Sequence, residues 1–175
     1  MAGTGAVAVR QRVQTLLLGG YRRLPLWGRL LVVRTVTPSF HVGALCVIER
    51  PDGALLLLRQ SYRRKEAWGF PGGLLKRGEE PADAVRREIC EELDVEVDVD
   101  DAPMVVVDAR HRRVDVVFKG RLAGDDPHPP PPAPASPEIV EVRWFPPNEL
   151  PILLPEATTA LVELARASRP APESG

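Results

Sequence analysis

The chain contains two nearly continuous apolar runs, at residues 41–50 and 54–60. A turn-forming Pro-Asp-Gly triplet at 51–53 separates them. Because proline presets φ and glycine accepts a positive φ, this arrangement predicts a β-hairpin. Polar residues hardly interrupt the two runs, so we expect strands that are buried on both faces.

Later segments also have the patterns of strands. Residues 95–100 alternate strictly between apolar and acidic positions, as a half-exposed strand does. Residues 104–109 and 113–122 predict a second hairpin around an Arg-His-Arg turn, and residues 139–145 predict a further strand. The proline-rich segment 124–137 predicts a loop without regular structure.

Two long helices are expected, at 81–93 and 155–168, and shorter helical spacing occurs at 8–19 and 26–34. Proline at position 81 suits the first turn of the helix that it opens. The apolar stripe of this helix recurs at spacings of three, four and four, at Ala82, Val85, Ile89 and Leu93. Strands and helices mix without regular βαβ alternation, which indicates an α+β fold with a mixed sheet.

The overall composition narrows the classes of function. A length of 175 residues predicts one main domain. The net charge of −1 gives no general attraction to nucleic acid. The two cysteines form no C-x-x-C pair, so a zinc ribbon or a redox motif is unsupported. No apolar run approaches the roughly 18–20 residues that span a bilayer, so we expect no stable membrane insertion and a cytoplasmic location.

The charge is distributed unevenly. Residues 1–48 contain six arginines and no acidic residue, whereas the remainder has 17 basic and 24 acidic residues. Two interpretations of the basic segment stay open. It is either a leader helix that docks on the domain with its arginines solvated, or an arm that contacts a membrane or a partner.

The helix predicted at 81–93 has an acidic face. Glu88, Glu91 and Glu92 stand at i, i+3 and i+4, so their carboxylates share one side of the helix. Converging carboxylates suit Mg²⁺ or Mn²⁺, which share their coordination shell with substrate phosphates. A solvated helix face is the alternative, but the glycine-rich segment WGFPGG at 68–73 favours a built site.

Residues 73–95 resemble the Nudix box, whose pattern is G-x5-E-x7-R-E-U-x-E-E-x-G-U with U aliphatic. Every specified position matches except the last glycine, which is Asp94 here. Because Asp94 would follow the helix end, we expect it to adopt the left-handed conformation, which aspartate enters at modest cost. The resemblance covers roughly residues 40–168 and implies the Nudix fold, a mixed β-sheet sandwiched between helices (α/β/α).

The resemblance also implies a domain organisation. We expect a basic N-terminal helical segment at 1–37, a Nudix hydrolase domain at 38–169 and a disordered tail at 170–175. The implied activity is Mg²⁺-dependent hydrolysis of a nucleoside diphosphate linked to another group X, with Mn²⁺ as a substitute. The expected partner is therefore a small nucleotide diphosphate substrate, no nucleic acid is expected, and a homodimer is left open.

The family pattern assigns roles within the box. Glu91 and Glu92 are the expected metal ligands, Glu88 is a ligand or the base, and the carbonyl of Gly72 completes the shell. Arg87 is expected to orient these glutamates, and Glu79 is expected to pair with Arg87.

Two expectations lie outside the box. Glu138, next to the last predicted strand, is a further ligand or general base, so the expected catalytic residues are Glu88, Glu91 and Glu138. Glu141 is the runner-up for that role. Arg59 either contacts a substrate phosphate or forms a surface salt bridge.

The box leaves X undetermined. The expected substrate classes are nucleoside triphosphates, ADP-ribose and nucleotide sugars, although the proline that marks the ADP-ribose type is absent after the box. The alternative is a non-catalytic Nudix-like module that binds a nucleotide as a sensor. Such modules lose box glutamates, and this chain retains all of them.

Overall fold

The computed structural model describes residues 24–36 and 39–167. The chain divides into two compact units, residues 1–39 and 40–175. In the first unit, helix α1 (Leu26–Val36) matches the helical spacing predicted at 26–34. The pattern at 8–19 and the tail at 170–175 lie outside the described residues. In the described ranges, no helix combines the length and the hydropathy that a membrane crossing requires.

The second unit carries the predicted strands and helices in their predicted order, with one unpredicted short strand, β3, at the end of the glycine-rich segment. The elements are β1 (His41–Ile48), β2 (Leu55–Gln60), β3 (Gly72–Leu74), α2 (Pro81–Leu93), β4 (Val97–Val99), β5 (Met104–Asp108), β6 (Arg113–Leu122), β7 (Ile139–Phe145) and α3 (Pro155–Ala167). The proline-rich segment between β6 and β7 has no regular structure, as expected.

Strand β6 organises the larger sheet. Strand β1 pairs parallel with residues 113–120 of β6, whereas β5 pairs antiparallel with residues 113–117 and β4 pairs antiparallel with residues 120–122. Strand β3 adds antiparallel to β1, and β2 and β7 form a separate antiparallel pair. The larger sheet is therefore mixed. Helices α2 and α3 contribute to two separate core clusters, so the predicted α+β class and α/β/α layering are confirmed.

The first predicted hairpin is wrong in its pairing. The turn itself forms, since Gly53 N–H donates to the carbonyl of Arg50 at 2.9 Å and Arg50 N–H donates to that of Ala54 at 2.9 Å. Only one bridge, Glu49 with Leu55, then joins the two strands. Beyond it they diverge, because β1 finds an eight-residue ladder on β6 and β2 finds its ladder on β7. The second predicted hairpin, β5–β6, is confirmed.

Strands β1 and β2 are buried on both faces, as their apolar runs predict. Along β1, Ala44 and Cys46 pack in the cluster that contains α2. Their neighbours Leu45 and Val47 pack in the cluster that contains α3. Alternate side chains point to opposite faces of a strand, so one continuous apolar run supplies both cores.

Helix α2 has the predicted bounds. Proline occupies its first turn, and the stripe that contains Val85 and Ile89 is fully buried. At its end Asp94 is left-handed, with φ 52° and ψ 41°, and its N–H donates to the carbonyl of Cys90. The expected conformation of Asp94 is thus confirmed. Because the stripe anchors one side of α2 in the core, the acidic side is directed away from it.

Candidate active site

The acidic side of α2 borders a cavity of about 560 Å³. The rest of the lining comes from the segment after β2, from the loop and strand β3 before the helix, from the segment that leads into β7, and from β1, β6 and the start of α3. The cavity is lined by Gly72, Glu88, Glu91, Glu92 and Glu138, all of which the sequence predicts as site residues. It is the place where the predicted metal ligands and the candidate base meet.

Glu92 is the buried carboxylate of this cavity, with 7% of its surface exposed. Its Oε2 accepts a hydrogen bond from the N–H of Gly72 at 3.3 Å, and Nε2 of Gln60 donates to its Oε1 at 3.5 Å. Burial raises the pKa of Glu92 to about 7, and the nearby carboxylates of Glu88 and Glu138 add to the shift. The two hydrogen bonds act in the opposite direction. A buried carboxylate with this pKa is one that a cation would stabilise.

Arg87 holds the neighbouring glutamates. Its Nε and Nη2 donate to the two carboxylate oxygens of Glu79 at 2.7 and 2.9 Å, and its Nη1 donates to Glu88 at 2.7 Å. A longer contact of 3.4 Å reaches Glu91. The hydrogen bonds from Arg87 and from the backbone N–H of Lys76 lower the pKa of Glu79 to about 2. The expected Glu79–Arg87 pair is therefore present, and it fixes the loop before α2 to the helix.

Two glycines allow the segment before α2 to approach its neighbours closely. A Cβ on Gly73 would lie 2.5 Å from the carboxylate of Glu88, so this carboxylate occupies the space that a side chain would fill. Gly72 has φ 135°, and a Cβ there would collide with the carbonyl oxygen of Ala44. Glycine at 73 therefore lets the backbone approach the acidic face of α2, and glycine at 72 lets the same segment approach β1 closely.

These residues fit a divalent cation, although they do not form a ready-made cage. In the described part of the chain, no three acidic, histidine or cysteine side chains are grouped as a metal cluster. Arg87 instead engages Glu88 and Glu91, while Glu92 and Glu138 have no cationic partner among the described ion pairs. All candidate ligand atoms are oxygens, as Mg²⁺ prefers. The carboxylate of Glu88 packs against the backbone of Gly73, in the space that a side chain would fill there.

Arg59 lies elsewhere. It is absent from the lining of the cavity, and its Nη2 forms an ion pair with Glu141 at 2.9 Å across the β2–β7 pair. The salt-bridge alternative is thus observed for Arg59, and its contact with a substrate phosphate stays a prediction. Glu141 is likewise absent from the lining of the cavity, whereas Glu138 belongs to it.

Further charged residues line the cavity that were not among the predicted site residues. Arg113 lines the cavity and donates from Nε to the buried carboxylate of Asp115 at 2.7 and 2.8 Å. Arg63 pairs with Glu156, at the start of α3, at 3.2 Å. The sequence does place Arg113 and Asp115 at alternate positions of β6, on one face of the strand. Their place in the site could be recognised only once the pairing of β6 with β1 was known.

The NUDIX domain family model matches residues 39–166. The chain belongs to the Nudix family. A MutT-like protein from Streptomyces ambofaciens is 31% identical over 116 residues, which cover 66% of this chain and 70% of that protein.

Solved Nudix structures share the fold. The MutT Nudix hydrolase from Burkholderia pseudomallei is 25% identical with a TM-score of 0.59, over 73% of this chain and 99% of that one. A Nudix hydrolase from Nitrosomonas europaea has a TM-score of 0.59 at 23% identity, over 77% and 76% of the two chains. The predicted family, fold class and enzyme class, a Nudix hydrolase, are confirmed.

Proposed function

We propose that this Nudix hydrolase uses Mg²⁺ to cleave the diphosphate linkage of a nucleoside diphosphate joined to another group X. The observation that supports this most is the buried carboxylate of Glu92, which shares one cavity with Glu88, Glu91 and Glu138 and has no cationic partner among the described ion pairs. A polyanionic substrate would be repelled from this cavity unless a cation accompanied it.

In the proposed mechanism, Glu91, Glu92 and the carbonyl of Gly72 hold the cation, with Glu88 as a further ligand. When bound, Mg²⁺ would neutralise phosphate charge, polarise phosphoryl oxygens and lower the pKa of water. Arg87 keeps Glu88 in place through the bond at 2.7 Å.

The proton of the attacking water goes to a carboxylate, for which we propose Glu138, with Glu88 as the alternative. Water attacks one phosphorus, the bridging P–O bond breaks, and two phosphate-bearing products leave. Glu138 suits this role because its carboxylate lies at the cavity, outside the contacts of Arg87.

The nucleoside or the group X of the substrate would need space next to the glutamate cavity. A second cavity of about 390 Å³ adjoins the first, and the two share Arg63, Leu74, Arg113 and Glu156 in their walls. We infer that the diphosphate occupies the glutamate end and that the nucleoside or X extends along these charged residues. Paired guanidinium and carboxylate groups suit hydroxyl and amide groups of a ligand. The proposed classes are nucleoside triphosphates, ADP-ribose and nucleotide sugars.

A substrate panel tests this proposal. The purified chain is incubated with Mg²⁺ and with nucleoside triphosphates, ADP-ribose and nucleotide sugars, and the release of phosphate or mononucleotide is followed. One strongly preferred substrate is the expected result. No turnover of any compound with either Mg²⁺ or Mn²⁺ would contradict hydrolysis of these classes, and calorimetric binding of a panel member without turnover would favour the sensor module.

A further inference from the structure

The proline-rich segment between β6 and β7 ends in four residues that are bonded to two elements of the site. We call residues 135–138 the anchor segment. The N–H of Ala135, its first residue, donates to the carbonyl of Glu92 at 2.8 Å. The carbonyl of Glu138, its last residue, accepts from the N–H of Ser61, just after β2, at 2.7 Å. Both ends of the anchor segment are therefore held by main-chain bonds.

The bond from Ala135 uses a carbonyl at the end of α2. The last four carbonyls of a helix have no partner within that helix. In α2 the carbonyl of Cys90 accepts from the N–H of Asp94, and that of Glu92 accepts from the N–H of Ala135. Glu92 thus contributes its side chain to the cavity and its carbonyl to the anchor segment. The position of the segment is tied in this way to that of a candidate metal ligand.

A short turn inside the anchor segment orients Glu138. The N–H of Glu138 donates to Oγ of Ser136 at 3.3 Å, and the N–H of Ile139 donates to the carbonyl of Ser136 at 3.0 Å. Pro137 lies between Ser136 and Glu138, and its ring fixes φ. Ser136 and Glu138 both line the cavity. The turn therefore fixes the backbone from which the carboxylate of Glu138 reaches the cavity.

The residues just before the anchor segment provide no alternative attachment. Five of the six residues at 129–134 are proline, so Ala133 supplies the one N–H of this run. In the part of the chain that the structure describes, residues 129–134 take part in none of the hydrogen bonds. Going along the chain from this run, the bond of Ala135 is the first that fixes the loop to α2.

We propose that Ala135 is a positioning residue, whose N–H, bonded to Glu92, sets where Glu138 stands relative to the other glutamates of the cavity. This proposal rests on the proposed function, in which Glu138 accepts the proton of the attacking water. A displacement of about 1 Å can cost about 100-fold in rate. Loss of the bond should therefore lower kcat, whereas KM should stay the same because the rest of the cavity is unchanged.

Ala135→Pro tests the proposal, since proline has no N–H to donate. For each panel compound that the wild type hydrolyses, the variant should have a kcat lowered by about tenfold or more and an unchanged KM. The matched control is Ala133→Pro, the same substitution two residues earlier, where no described bond is lost. This control should keep the wild-type kcat. A wild-type kcat in Ala135→Pro would overturn the proposal.

A double-variant cycle separates positioning from a general effect on the fold. Glu138→Gln removes the carboxylate that Ala135 is proposed to position, so Ala135→Pro should cause no further loss of kcat in that background. An equal loss in both backgrounds would overturn the proposal, because Ala135 would then act on another group. A wild-type kcat in Glu138→Gln would instead contradict the proposed function, which assigns Glu138 as the base.

Amide hydrogen exchange gives a measure that needs no turnover. The N–H of Ser61 is bonded to Glu138, at the far end of the anchor segment. The Ser61 amide should exchange several-fold faster in Ala135→Pro than in the wild type and in Ala133→Pro. Equal exchange in all three proteins would overturn the proposal. If Ala135→Pro does not fold, Ser136→Ala, which removes the hydroxyl that binds the N–H of Glu138, should lower kcat only when Glu138 is present.

Discussion

At the scale of the residue, Arg87 determines how the acidic face of α2 is arranged. One guanidinium bonds both oxygens of Glu79 and one oxygen of Glu88, so two carboxylates from different elements are fixed by a single side chain. These charge-assisted bonds also raise the pKa of Arg87 and lower that of Glu79. Glu92 is excluded from this network and is instead held by the amides of Gly72 and Gln60.

The Glu79–Arg87 pair predicts a dependence of stability on pH. The pKa of Glu79 is lowered to about 2 in the folded chain from an ordinary value of 4.5. Its contribution to the free energy of unfolding is therefore fully present above about pH 4.5 and is lost as the pH falls towards 2. Glu79→Gln should destabilise the protein at pH 7 and lose much of that effect at pH 3, as measured by urea unfolding.

The matched control for this experiment is Glu96→Gln, because Glu96 is exposed and belongs to none of the described ion pairs. It should leave the difference between pH 7 and pH 3 unchanged. If Glu79→Gln were as neutral as this control at pH 7, the bidentate pair would contribute nothing to stability.

At the scale of the element, local signals predicted α2 well and strand partners poorly. The bounds of α2 follow from Pro81, an apolar stripe and a residue that accepts the left-handed conformation, all of which act within a few residues. The partner of β1 depends instead on which distant segments offer long ladders. Since the turn at 51–53 forms in either case, it did not reveal that β1 and β2 belong to different sheets.

The end of α2 gives a test at this scale. Because Asp94 has φ 52°, Asp94→Gly should raise the free energy of unfolding by about 0.5 kcal/mol, since glycine has no Cβ to strain there. Asp94→Ala should lower it by about 1 kcal/mol. Chemical denaturation at pH 7 measures both, with Asp94→Asn as the control of unchanged stability. An alanine variant as stable as the glycine variant would show that the left-handed residue is not strained.

At the scale of the whole molecule, the candidate site depends on the mixed sheet. The Nudix box predicted the glutamate wall from sequence, because the box is contiguous. The opposite wall comes from β6 and α3, whose charged residues Arg113 and Glu156 are distant in sequence and carry no motif. The salt-bridge partner of Arg59 could not be identified from sequence for the same reason, since Glu141 stands on a strand that only the fold brings beside it.

The N-terminal segment provides a test of where activity resides. The residues that line the active-site cavity all lie between positions 45 and 156. A chain lacking residues 1–37 should therefore retain the wild-type kcat/KM for the preferred substrate of the panel. Steady-state kinetics measures this, with circular dichroism to verify folding. A folded truncation with little activity would assign residues 1–37 a part in substrate binding or catalysis.

The most direct test of the glutamate site is the Mg²⁺ dependence of hydrolysis in the wild type, in Glu92→Gln and in Glu80→Gln. Glu80 is exposed at the start of α2 and outside the cavity, so its variant is the matched control. Loss of a ligand that supports several kcal/mol of transition-state stabilisation should lower kcat by at least about 100-fold in Glu92→Gln. The control should keep the wild-type kcat and Mg²⁺ dependence. If Glu92→Gln hydrolysed the substrate at the wild-type rate, the assignment of the buried glutamate as a metal ligand would be wrong.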